Sequence, residues 1–222
     1  VDFIKENNYE NFVDLVQYDV PITAQILDRY KNFNERVSKN LKIKTVEFTS
    51  TKAVKPYVKP VFDLINKTYT EIYGFTKLTE DEMTEFAERF LPLLNPKLIK
   101  MITDENGELL AFIIAMADLS EAIKNSRGRI LPFGWARILW AMKTSKRLQL
   151  LLGAIHPNYQ NKGLDAVLAT MLFGSALKLG FKTVDSHLIM KDNLKMRGEI
   201  EKLEGFNLYK EYCIFRKNLV VG

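Results

Sequence analysis

Residues 148–179 read LQLLLGAIHPNYQNKGLDAVLATMLFGSALKL: an apolar run, a short polar turn containing Gly163, then Leu164, Val167, Leu168, Met171, Leu172 and Leu179 at helical spacing. The run predicts a strand buried on both faces, and the stripe predicts a helix packed on its sheet. A strand that passes through a glycine-bearing turn into a helix directs unpaired backbone N–H groups and a positive dipole end at one point. Phosphate suits such a point.

The remaining pattern builds an α/β chain around that unit. Ile43, Val46 and Phe48 mark a short strand after the polar stretch 32–40. Apolar residues from Val54 to Ile72 then recur at three- and four-residue spacing, with Pro60 inside the pattern and Gly74 closing it. Thr79 and Glu82 read as a capping box for a second helix that ends near Pro92. Two apolar runs, 98–103 and 109–117, flank Asn106-Gly107 and predict an antiparallel hairpin. Beyond the central unit come a strand at 182–188, a helix at 193–203 and a last strand at 206–217.

Composition narrows the setting. A chain of 222 residues can bury a substantial core, and its net charge of +5 is scattered, so no nucleic-acid footprint stands out. The single cysteine, Cys213, sits among Tyr212, Ile214 and Phe215; it cannot pair within the chain and reads as a buried structural thiol in a reducing cytoplasm. No apolar run has the length of a membrane span and no signal peptide opens the chain. The chain opens on Val1 rather than methionine, as a shortened chain would.

The element order and the motif HPNYQNKGLDA resemble the GNAT superfamily of acyl-CoA N-acyltransferases over roughly residues 43–217. That resemblance implies a mixed, mostly antiparallel sheet flanked by helices. It implies acetyl-CoA or another acyl-CoA as co-substrate, no metal, and an amine acceptor that attacks the thioester directly. Gln160, Asn161, Lys162, Gly163 and Leu164 fit the family's turn, while Asp165 stands where a glycine or alanine is usual. Backbone N–H groups from Gln160 to Asp165 would cradle a pyrophosphate, Gly153, Ala154 and Ile155 would bond a pantetheine arm, and Asn193 would add a further cofactor contact. If Asp165 faced the diphosphate, two unit charges about 4 Å apart would repel by roughly 4 kcal/mol at an effective dielectric near 20. Facing away, it merely complements the helix dipole.

Family members often carry a tyrosine before the terminal Gly-Phe; here the aligned residue is Glu201. His187, Glu201 and Tyr209 are the candidate catalytic groups, with packing roles as the alternative for each. Residues 118–147 form an insertion where the family joins two strands tightly. It holds Trp135, Arg137 and Trp140, with Arg127, Arg129, Lys143, Lys146 and Arg147 around them, and reads either as a cap over a substrate site or as a packed helical hairpin or oligomer contact. The alternative to an enzyme is a catalytically degenerate binding or interaction module on the same fold, and a homodimer is among the expected partners.

An internal echo concerns the head of the chain. Placing FIKENNYENFVDLVQY from Phe3 on IEKLEGFNLYKEYCIF from Ile200 aligns Tyr9 with Phe206, Asp14 with Glu211 and Tyr18 with Phe215 without gaps. Residues 1–20 then read as the tail of a preceding GNAT-like domain, residues 21–42 as a linker or helix, and residues 43–222 as the C-terminal half of a bacterial tandem protein. Tyr9, Phe12, Leu15 and Val16 are expected to lie uncovered.

Overall fold

The computed structural model describes residues 2–127 and 134–218. In chain order the elements are α1 (Asp2–Glu6), β1 (Glu10–Pro21), α2 (Ala24–Leu41), β2 (Lys44–Glu47), α3 (Thr51–Val54), α4 (Val58–Thr68), α5 (Glu80–Phe90), β3 (Ile99–Thr103) and β4 (Leu109–Ala117). They continue as α6 (Ser120–Asn125), α7 (Gly134–Thr144), β5 (Arg147–Ile155), α8 (Leu164–Lys178), β6 (Thr183–Asp185), β7 (Ile189–Met190), α9 (Leu194–Ile200) and β8 (Asn207–Arg216). The chain divides into two compact units, Ile22–Val184 and the pair of segments Val1–Pro21 and Asp185–Gly222.

In the larger unit β2, β3, β4 and β5 form an antiparallel sheet, with pairs such as Val46↔Met101, Met101↔Phe112 and Phe112↔Ala154. Alternation along each strand sends side chains to opposite faces. Met101, Phe112 and Ile114 meet Phe62 and Ile65 of α4 and Met83 of α5 in one core cluster, while Ile102, Leu110 and Ala111 meet Leu164, Val167 and Leu168 of α8 in the other. Each of the larger side chains among them contributes about 1.5–3 kcal/mol when fully buried. Lys100, 1% exposed on β3, is held by Glu47 and by the Ser175 hydroxyl at 2.6 Å. A buried ammonium needs such partners.

Local chemistry accounts for the boundaries. The Thr79 capping box forms in both directions, opening α5. Gly107 takes a φ of +88° in the β3–β4 turn. In the apolar pattern from Val54 onward, Pro56 sets a short 3-10 turn at Lys55–Tyr57 and α4 carries Pro60 in its first turn, where a missing N–H costs little. That helix ends at Thr68, so Gly74 belongs to the following turn and does not close the helix.

In the smaller unit β1 pairs antiparallel with β8 over most of its length and with β7 on its other side, at Leu15↔Met190 and Val16↔Ile189. Flanked on both sides, Val16 is fully buried and Leu15 half-buried, contrary to expectation, whereas Tyr9 and Phe12 are exposed as anticipated. The predicted strand at 182–188 shortens to Thr183–Asp185, because Ser186 and His187 turn away and His187 adopts a φ of +61°. Two further expectations fail. Cys213 is exposed, since it lies on β8 with its thiol turned to Asp14. Along β5 only Leu148 and Ala154 are buried, so that strand is half covered and not enclosed on both faces.

Candidate functional site

The β5–α8 connection is built as its residues require. Pro157 starts a 3-10 turn through Tyr159, with the His156 imidazole accepting the Asn158 N–H at 3.2 Å. Asn161 then takes a φ of +59°, and Gly163 a φ of +85° as the residue that opens α8. No side chain caps that helix. The first N–H groups of a helix lack intrahelical acceptors, so this N-terminus offers donors and a positive dipole end. Lys162 extends over the Tyr159 ring, 5.1 Å from its centroid, and Asp165 is exposed in the first turn.

Gly163 is tightly lodged. A Cβ there would come within 2.8 Å of the Phe33 ring and 3.1 Å of a Val37 methyl, both on α2. Only glycine combines that close approach with a left-handed φ at no strain.

Upstream, the backbone of Gly153 is already engaged. The Tyr69 hydroxyl donates to the Gly153 carbonyl at 2.9 Å and accepts from the Gly153 N–H at 3.2 Å. Burial raises the Tyr69 phenol above its ordinary value, with the Gly153 bond opposing. The Ile155 carbonyl accepts from the Gln160 side chain, and Ala154 is buried opposite Phe112. Between Leu150 and Leu152 one residue of β5 is left without a partner on β4, a bulge that bends the strand just before Gly153.

The candidate catalytic residues gather in the smaller unit. Asp185, 4% exposed, accepts the Gln17 amide at 2.6 and 2.8 Å, the Tyr209 hydroxyl at 2.6 Å and the His187 backbone N–H at 2.9 Å. The Tyr212 hydroxyl donates to Gln17 at 3.3 Å. His187 Nδ1 accepts the Leu188 N–H at 2.8 Å, which leaves the ring's proton on Nε2 and makes this imidazole a donor. Glu201 lies elsewhere in the unit. It accepts the buried Tyr18 hydroxyl and Arg197, and the Tyr18 bond holds its carboxyl below the ordinary range. Asn193 caps α9 through the Met196 N–H at 3.2 Å. Sequence reasoning missed Asp185 and Gln17; a lone acid or amide on a short strand carries no spacing signal.

The insertion holds the helices α6 and α7, and Arg137 donates to the Asn125 carbonyl at 2.8 Å. Trp135, Leu139 and Trp140 stay exposed on α7, Trp140 at 69%. Arg129 lies outside the described residues, as do Gly128, Pro132 and Phe133. Among the described residues no cluster of three or more acidic, histidine or cysteine side chains is arranged to hold a metal, and no helix is long and apolar enough to cross a membrane.

No family model matches the chain. It is similar to a bacterial ceramide synthase of Caulobacter vibrioides, 24% identical over 168 residues, covering 73% of this chain and 43% of the relative. It is also similar to Protein YghO of Escherichia coli, 24% identical over 224 residues, covering 97% and 56%. The chain thus spans about half the length of the curated relatives it matches. Among solved structures it superposes on a GCN5-related N-acetyltransferase from Sphaerobacter thermophilus with a TM-score of 0.58 at 10% identity, over 97% of this chain and 55% of that one. A tandem GNAT protein from the clavulanic acid biosynthesis pathway gives the same score at 12% identity, over 96% and 56%.

Proposed function

We propose that this chain, which has the fold of the GCN5-related N-acetyltransferases, takes an acyl-CoA and passes its acyl group to an amine. The carrying observation is the uncapped N-terminus of α8 behind a left-handed Gly163, on a strand–turn–helix unit. The donors from Asn161 to Asp165 suit a diphosphate, and an acyl-CoA would supply an electrophilic thioester carbonyl.

For proton transfer, Tyr209 and Asp185 support a relay. Within the smaller unit the phenol can pass its proton across the 2.6 Å bond to Asp185 as its oxygen takes one from an amine, so the pair by itself is able to accept the proton that amine attack would shed. Gln17 and the His187 N–H orient the carboxylate. For the acceptor, the exposed Trp135, Leu139 and Trp140 of α7 favour an apolar amine, a reading supported by a relative named for making ceramide, an N-acylated lipid.

Thermal melting in acetyl-CoA is the test. Saturation to 100 times the dissociation constant stabilises a protein by about 2.7 kcal/mol. No shift at millimolar ligand favours the second reading, an interaction module on the same fold, for which the engaged Gly153 backbone speaks. If binding occurs, Tyr209→Phe and Asp185→Asn should each lower kcat at an unchanged KM for acyl-CoA.

A further inference from the structure

We propose that β1 and β8 are corresponding last strands of two copies of one fold, related by a local two-fold axis at the Leu15–Tyr212 pair, and that the free edge of β8 seats a strand of the preceding copy. The gapless alignment of Phe3 on Ile200 makes demands on the backbone that its side chains do not guarantee. Three are met. Asn8 falls on Gly205, and both adopt left-handed φ, +62° and +79°. Asparagine is among the few residues other than glycine that accept this conformation.

The second demand concerns irregularities. Any antiparallel ladder is symmetric along its regular middle, so only its bulges and ends carry information. The β1–β8 ladder jumps twice, once between Asn11 and Val13, leaving Phe12 extra, and once between Leu208 and Lys210, leaving Tyr209 extra. The alignment places Phe12 on Tyr209. Shifted by a single residue, it would not.

The third is the extent of pairing. The ladder runs from Glu10↔Arg216 to Asp19↔Asn207, and the alignment exchanges these end pairs, Glu10 with Asn207 and Asp19 with Arg216. Around the centre, Asp14↔Cys213 exchanges with Val16↔Glu211 and Leu15↔Tyr212 maps onto itself.

The same operation locates what the structure leaves open. Leu15 and Val16 of β1 pair with Met190 and Ile189 of β7. Their counterparts on β8 are Tyr212 and Cys213, and among the described residues β8 pairs with β1 alone. Burial follows that asymmetry: Val16 is fully buried and its counterpart Cys213 is exposed, and Leu15 is half-buried and its counterpart Tyr212 exposed. The occupant is the counterpart of β7 in a preceding copy within the same polypeptide. Curated relatives about twice the length of this chain accord with one. This inference does not depend on acyl-CoA binding.

Amide exchange and alkylation compare the 222-residue chain with the protein as its source cell makes it. Peptides from Asn207–Arg216 should exchange at least tenfold more slowly in the native protein, and N-ethylmaleimide should label Cys213, identified by peptide mass, at least tenfold more slowly. Equal rates, or a native polypeptide carrying no preceding copy, would overturn the proposal.

Discussion

The Tyr69 hydroxyl closes both hydrogen-bonding groups of Gly153, donating to its carbonyl and accepting from its N–H. A ligand amide that needs those groups must first displace the phenol. Tyr69→Phe should therefore tighten coenzyme A about 2- to 10-fold in titration calorimetry, the worth of one net hydrogen bond of about 0.5–1.5 kcal/mol. An unchanged affinity would mean that the pantetheine arm does not reach Gly153.

Gly163→Ala combines two faults, a left-handed φ and a methyl group 2.8 Å from the Phe33 ring. The backbone fault alone costs about 1–2 kcal/mol. Urea denaturation should show a larger loss than that, and a second change, Phe33→Ala, should recover the steric part while leaving the backbone part. Strict additivity of the two substitutions would argue against the contact.

Asp165 is exposed, so its field is screened by water. Two charges about 4 Å apart in water repel by only about 1 kcal/mol. Asp165→Gly should tighten coenzyme A by no more than about fivefold, and the gain should fade as salt rises. A larger, salt-insensitive gain would place the carboxylate against the phosphates.

Glu201 carries a pH signature. The Tyr18 hydroxyl, then Arg197, hold its carboxyl below the ordinary value of 4.5, so the folded state binds that proton less readily than the unfolded chain. The stabilisation is present above pH 4.5 and is lost as pH falls through the folded value. Glu201→Gln should flatten the acid limb of a plot of urea midpoint against pH. Parallel limbs in the two proteins would assign acid sensitivity to other carboxylates.

What the sequence announced, it announced through periodicity and local chemistry. The α8 stripe, the Asn106-Gly107 turn and the Thr79 capping box each depend on neighbours within a few residues, and each formed. The helix α2 drew less notice because its many polar residues mask a face that meets α8 through a few scattered apolar side chains, Phe33, Val37 and Leu41 among them. The Asp185 group was illegible for another reason: Gln17, Asp185 and Tyr209 lie on three strands, far apart in sequence. The phenol was a candidate; its partner was not.

The bulges at Phe12 and Tyr209 carry an evolutionary consequence. If the two strands descend from one ancestor, the exchange that sets Tyr209 opposite Phe12 also sets Gln17 opposite Ile214. In this half a phenol and an amide converge on Asp185. The mirrored position would offer a benzene ring and a branched alkane, neither of which can donate a hydrogen bond to a carboxylate. Duplication would then have ended in a shared site on one side only, with Gln17 of β1 and Tyr209 of β8 both serving the acid of this copy, while the mirrored position lost its donors.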